Sequence, residues 1–459
     1  MPQTGNSILG ISFDGLATSG IVNEMLSVAA TLRGEDLRVL VDVGGDIRMH
    51  SVDLDTAYFP PWAECTRSLG DCPKDYSAGL VDEIRTRVIA GTRVAEMKSF
   101  QGLCEELVEC LIATFKREAV RFLIIENGTL PDNPLFTEAL YWAIAEYGKQ
   151  QKLGKYVLWR DHDLMWSAEP HLFGSYPYSG VRKPKVTEHI HYAVLTEWMR
   201  KRMQAWIPGF DCHVLPNCFY PVSQEPASRS IRQTYCIPED AYLVARCTRV
   251  VPQKSIERDL LTLDRLQQRL IHINSRRVFL FITGPTNEDP SELSRLRAIE
   301  ETLSIRGQVV WANGLLPFSP LINTAGASND RFSIRELLAA ADLNSFLTTY
   351  DYEGFGNPPG EAMAMKVPFI STTYELYHEV YGSKGAVAPL LPIDRNTKVD
   401  SPIPDDFLDA VIRLLTVNEY RQQVTRRNLE VCKRHYSLES LRRQLREMYP
   451  GHNITLMED

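Results

Sequence analysis

Residues 341–371 constrain the fold of this chain more than any other stretch. Ala341-Asp342-Leu343-Asn344-Ser345-Phe346-Leu347 is apolar enough for a buried strand, and Val367-Pro368-Phe369-Ile370 reads as the next one. Between them runs Tyr352-Glu353-Gly354-Phe355-Gly356-Asn357-Pro358-Pro359-Gly360-Glu361-Ala362-Met363-Ala364-Met365-Lys366, a glycine-rich turn that becomes helical. Asn357 is placed to cap that helix, and Pro358 to occupy its first position, where no N–H is needed. Strand, glycine-rich loop, helix and strand make one unit of a doubly wound sheet, whose ligands bind at the loop and helix N-terminus.

The two acids narrow the ligand. Backbone amides at Gly354, Phe355, Gly356 and Gly360 suit phosphate oxygens, whereas the Glu353 and Glu361 carboxylates would repel them. An ionised carboxylate accepts hydrogen bonds only, so these acids suit hydroxyl groups. One acid before the turn and one beyond it bracket a diphosphate with a sugar on each side, which describes a nucleotide-sugar site.

Glu, seven residues, Glu, with Gly-Phe-Gly after the first acid and Glu-Ala-Met at the second, resembles the donor-site signature of family 4 retaining glycosyltransferases. The resemblance implies an α/β chain of the GT-B fold, two Rossmann-like doubly wound domains facing a central cleft. It implies that Glu353 contacts the donor sugar and Glu361 the nucleotide ribose. Pro358 and Pro359 depart from the family's commoner aliphatic pair, and each removes an amide donor.

Other motifs fit the same pattern. Arg249-Val250-Val251-Pro252-Gln253-Lys254 follows the first strand of the second half, and the family places an Arg and a Lys five apart opposite the donor diphosphate. Fixed cations there stabilise the charge that a phosphoryl leaving group gains. The family's usual Gly after the Lys is Ser255 here. Thr18-Ser19-Gly20 stands where the family has a Gly-Gly loop, and only Gly20 matches. Trp159-Arg160-Asp161-His162-Asp163 resembles its His-Asp segment, which implies that His162 lies near the reacting carbon. Asp163 is taken as acceptor-side. Asn127, in Glu126-Asn127-Gly128, is either an acceptor contact or part of an Asn-Gly turn. Gly284-Pro285 and Asn313-Gly314 correspond to strand ends beside the base. Tyr374 and Tyr377 read as core rather than as contacts to donor or acceptor. Within the family, Arg249-Val250-Val251-Pro252 and Glu353-Gly354-Phe355-Gly356-Asn357-Pro358 look similar to a bacterial branch with mannosylglucosylglycerate synthase-like enzymes.

The rest of the chain is organised to match. Strands are expected at 7–13, 37–43, 121–126, 156–159, 192–196 and 213–217, then at 242–246, 278–284, 308–311, 341–347 and 367–371. The domains expected are 1–222 on the acceptor side and 223–435 on the donor side, with a basic amphipathic helix in 436–459 returning to the first. Residues 51–78 have no clear place. A net charge of −8 argues against a general nucleic-acid binder. No run of about 18 apolar residues occurs, so no transmembrane segment is expected. The N-terminus lacks a basic start and apolar core, so a cytoplasmic protein is expected. Nine cysteines without a Cys-x-x-Cys pair give neither a disulfide framework nor a zinc site. The basic clusters Lys183-Pro184-Lys185 and Arg200-Lys201-Arg202 read as solvated faces.

The expected activity is retaining transfer of a hexose from UDP-glucose or GDP-mannose to a hydroxyl of a small soluble acceptor. The nucleotide-diphosphate sugar is co-substrate, with no cofactor or metal required. The rivals are a nucleotide-sugar epimerase of the same fold, a non-catalytic glycosyltransferase-like binding protein and a nicotinamide dehydrogenase. Gly354-x-Gly356-x-x-x-Gly360 has the wrong spacing for the last of these.

Overall fold

In the computed structural model the chain is described except at residues 1–5, 14–19, 35–36, 43–58, 67–75, 165–177, 186, 222–229, 320, 322–330 and 451–459. The loop containing Thr18 and Ser19, most of 51–78 and residues 222–229 at the expected domain boundary lie outside the described residues. The chain divides into two compact units. One is Met1–Asn217 with Leu321–Asn323 and Leu441–Asp459, the other Cys218–Pro320 with Thr324–Ser440.

The first unit holds β1 (Ser7–Ser12), β2 (Arg38–Asp42), β3 (Ala63–Thr66), β4 (Val120–Glu126), β5 (Val157–Asp161), β6 (Ile190–Val194) and β7 (His213–Val214). They form one sheet in the order β3-β2-β1-β4-β5-β6-β7, every pair parallel. Parallel strands need helical crossovers that cover both faces, so strands such as β1 are buried along their whole length and read as apolar runs. The order reverses between β1 and β4, where a doubly wound sheet opens a ligand crevice. The end of the chain belongs to this unit. Tyr449 sets its ring edge-on to Phe122 and to His191, at 5.7 and 4.8 Å between centroids.

The second unit repeats the plan with β8 (Tyr242–Arg246), β9 (Val278–Ile282), β10 (Val309–Trp311), β11 (Leu343–Phe346), β12 (Phe369–Thr372) and β13 (Leu390–Leu391). The order is β10-β9-β8-β11-β12-β13, so its switch point falls between β8 and β11. The helix Ile256–Ile273 packs Leu260, Leu263, Leu266 and Leu270 into the core against Val244, Leu280 and Leu414. Those positions recur at helical spacing, which aligns them on one apolar face.

Several boundaries differ from expectation, and two of the differences have a clear local cause. β6 lies at 190–194 rather than 192–196, because the Thr196 hydroxyl accepts from the Met199 amide and caps the next helix. Gly356, not Asn357, is the cap of the helix Asn357–Ala364, which moves Pro358 into its second position. No described helix is long and apolar enough to cross a membrane.

Candidate active site

In the second unit one strand, β8, ends in a charged residue. Arg246, the last residue of β8, is fully buried and pairs with the buried Asp259 at 3.1 Å. Its guanidinium also donates to the carbonyls of Ser345 at 3.3 Å and Lys254 at 2.6 Å. Asp259 accepts from the Ser345 hydroxyl as well. One buried side chain thus ties β8 to β11 and to the loop carrying Lys254. Arg258 donates to the Thr348 carbonyl at 2.7 Å, and the Thr349 hydroxyl to the Gln253 carbonyl at 2.9 Å. These bonds lash residues 249–254 to residues 347–353.

The lashing delivers Lys254 to Glu353. The ammonium donates to Oε1 at 2.7 Å, and the Thr348 hydroxyl to the same oxygen at 2.9 Å. Lys254 also lies 4.8 Å from the centre of the Tyr352 ring. Burial pushes the Glu353 carboxyl up, but the Lys254 charge and the hydrogen bonds from Lys254 and Thr348 outweigh it and hold it below its usual range. Ser255 takes a left-handed conformation, φ 51°, which accounts for a preference for glycine at that place. Arg249 is half exposed and pairs with Glu288 at 2.7 Å. Arg249 and Lys254 therefore have different carboxylate partners.

The glycine turn is built from behind. The hydroxyls of Tyr374 and Tyr381 donate to the carbonyls of Phe355 and Gly356, each at 2.6 Å. The Phe355 ring is buried against Tyr381 and Tyr436. Gly356 is left-handed at φ 82°, and a Cβ there would come within 2.7 Å of the Tyr374 hydroxyl. At Gly360 a Cβ would run into the Phe219 ring, so packing requires glycine there. Tyr374 is core, as its sequence context indicates. Glu361 is buried in the helix that follows. Burial pushes the Cys247 thiol just past β8 well up, and the Glu361 charge adds to the rise, which places that carboxylate near the end of β8.

The first unit carries a second charged cluster. Glu126 ends β4 and lies opposite Arg160 of β5. The guanidinium grips both carboxylate oxygens, at 3.1 and 2.9 Å, and Nε2 of His162 lies 2.8 Å from Oε2. Burial alone would raise the Glu126 carboxyl, but the Arg160 and His162 beside it together hold it low. Glu24 approaches Arg160 to 3.8 Å, from one turn beyond Gly20, the exposed first residue of its helix. Asn127 is buried with φ 60°, and its amide oxygen accepts from the backbone of His162 at 2.7 Å and Asp163 at 3.3 Å. That fixes the His162 loop. Asp163 is partly exposed. The sequence alone assigns no role to Arg160, Arg246 or Asp259, and none to Glu126 beyond its place in the Glu126-Asn127-Gly128 segment. Their signal was opposite charge at the ends of otherwise apolar strands and at the start of a helix.

Asp161 points the other way, accepting from the Thr129 amide at 3.2 Å and from its hydroxyl. Burial pushes its carboxyl up to about 7 against those two bonds, and the Glu126 charge adds to the rise. A carboxyl that keeps its proton longer in the folded chain favours the fold at low pH. That contribution disappears as the pH rises from about 4 towards 7. Wild type should therefore lose stability relative to Asp161→Asn across that interval, read as the difference in urea midpoints. A difference that stays constant with pH contradicts the assignment.

Among the described residues no group of three or more His, Cys, Asp or Glu side chains is arranged to hold a metal ion.

No family model matches this chain, and no curated protein matches it. Solved structures do. It is 13% identical to sucrose-phosphate synthase from Thermosynechococcus elongatus, covering 97% of this chain and 98% of that one at a TM-score of 0.60. It is 16% identical to WaaG, a glycosyltransferase involved in lipopolysaccharide biosynthesis, covering 97% and 100% at a TM-score of 0.58. It is 12% identical to HepE from Anabaena, solved with UDP and glucose, covering 97% and 99% at a TM-score of 0.58. At such identities the likeness is one of fold: this chain has the GT-B fold, built from two parallel-sheet Rossmann-like α/β domains.

Proposed function

We propose that this chain is a retaining, family 4 type glycosyltransferase that moves a hexose from a nucleotide-diphosphate sugar, of the UDP-glucose or GDP-mannose type, to a hydroxyl of a small soluble acceptor. The observation that carries the proposal is the Lys254–Glu353 pair, 2.7 Å apart in the loops that follow β8 and β11, beside a left-handed glycine turn with Glu361 about one helical turn on. A similar structure, HepE, was solved with UDP and glucose.

The roles follow from charge. Lys254, with Arg249, neutralises the diphosphate as the bond to the sugar breaks. Glu353 is held ionised, so it accepts from donor-sugar hydroxyls, and Glu361 accepts from the ribose. The amides of Gly354, Phe355, Gly356 and Asn357 face the phosphates. Pro358 and Pro359 contribute none. His162, clamped by Glu126 and by Asn127, lines the reaction centre; Asn127 acts through His162, and Asp163 serves the acceptor. Gly20 lets its loop come close to the ligand. In retention the acceptor hydroxyl attacks on the face the diphosphate leaves, and the departing phosphate oxygen takes its proton. No separate carboxylate base is needed, and the proposed chemistry calls on no cofactor or metal.

A thermal-shift panel of UDP, GDP, ADP, UDP-glucose and GDP-mannose, with NAD as control, tests this. A donor at about 100 times its Kd should raise the melting temperature by roughly 5 °C. A shift with NAD alone would overturn the proposal.

A further inference from the structure

The first unit contains a cavity of about 870 Å³, within the range of small-molecule sites. Its walls come from residues 93–95, the loop after β4, the first turns of the helix Pro134–Gln151, and residues 178–185. The Lys183-Pro184-Lys185 cluster, read from sequence as a solvated face, contributes both lysines to the lining.

The composition of the wall is selective. Arg93, Arg182, Lys183 and Lys185 line it, against a single carboxylate, Glu138. That carboxylate is already engaged by Arg182 and by the Trp142 indole N–H at 3.0 Å. Glu138 offsets Arg182, and Lys183 donates to the Trp206 carbonyl at 3.2 Å, but Arg93, Lys183 and Lys185 have no matching carboxylate among the lining residues. Arg182 and burial together hold the Lys185 ammonium below its usual range, a sign that these like charges repel. A bound anion relieves that repulsion.

Aromatic rings complete the lining. Trp142 is 56% exposed, unusual for so large an apolar ring, and lies 5.7 Å from the Lys185 ammonium. Tyr141 lies under Arg182 at 4.6 Å, and Tyr178 and Trp206 lie further round the wall. An exposed ring flanked by cations suits a ligand with a flat or ring-shaped body and an anionic group.

We propose that this cavity binds a small anionic molecule, a phosphate or carboxylate carried on a ring, with the ring against Trp142 and the anion held by Arg93, Arg182, Lys183 and Lys185. The site uses no residue of the Lys254–Glu353 pair, so it stands or falls apart from the transfer reaction.

Calorimetric titration of the full chain with phenyl phosphate, phenol and inorganic phosphate tests it. Phenyl phosphate should bind, with phenol and inorganic phosphate each at least about tenfold weaker. The double change Lys183→Gln/Lys185→Gln, and Trp142→Ala separately, should each weaken phenyl phosphate by about tenfold. These side chains reach solvent, and an unchanged melting temperature confirms that the variants fold. Sedimentation with phosphatidylinositol vesicles, whose headgroup carries a phosphate on a ring, separates two sources of the anion. Phenyl phosphate binding without sedimentation supports a free small molecule, and binding with sedimentation that the lysine changes abolish supports a lipid headgroup. No binding of phenyl phosphate, or equal binding by wild type and both variants, overturns the proposal.

Discussion

Arg246→Met should lower the unfolding free energy by about 3–5 kcal/mol, among the largest losses available to a single substitution in this chain. The guanidinium is fully buried, and so is its partner Asp259. Removing it strands a carboxylate in the core and leaves the carbonyls of Ser345 and Lys254 without their donor. Burial already pushes the Asp259 carboxyl up, with Arg246 opposing the rise, so Asp259 should take up a proton in the variant. The double change Arg246→Met/Asp259→Leu removes the stranded charge and should recover much of the loss. Guanidinium titration of the three proteins measures this. A single variant within about 1 kcal/mol of wild type contradicts the role given to Arg246.

Much of the fold was legible because parallel strands covered on both faces must be apolar runs. β8 lies at Tyr242–Arg246, where its apolar run places it, and β4 begins one residue earlier than expected, at Val120. The strands that were not legible are β3, four residues, and β13, two residues. Both sit at a sheet edge, where short segments need little apolar character. The turn before the helix Asn357–Ala364 was legible as a glycine turn, but not the cap, because Asn357 has a good capping side chain and only φ 82° at Gly356 shows which residue turns the chain. Glu353 and Lys254 each stood out in the sequence. Their pairing did not, since they are 99 residues apart and are brought together by bonds such as those of Arg246, Arg258 and Thr349. Ser255 looked like a mismatch and proves to be a strained left-handed position. The cavity beside Trp142 drew on residues from four separate segments, so no local pattern announced it.

Lys254→Met should slow sugar transfer by about 10²–10³-fold, the usual cost of losing one fixed group that stabilises developing charge. The substitution also leaves Glu353 nearly buried with only Thr348 donating to it, which raises its pKa and weakens it as an acceptor for sugar hydroxyls. Glu353→Ala should reduce turnover to a similar extent while leaving nucleotide affinity close to wild type. The decisive measurement is the rate of nucleoside diphosphate release from UDP-glucose and GDP-mannose by wild type and these two variants. Wild type should release it from one of the two donors and form a product that keeps the donor's anomeric configuration, and both variants should lose about 10²–10³-fold in rate. Release that both folded variants sustain at the wild-type rate would contradict the roles given to Lys254 and Glu353.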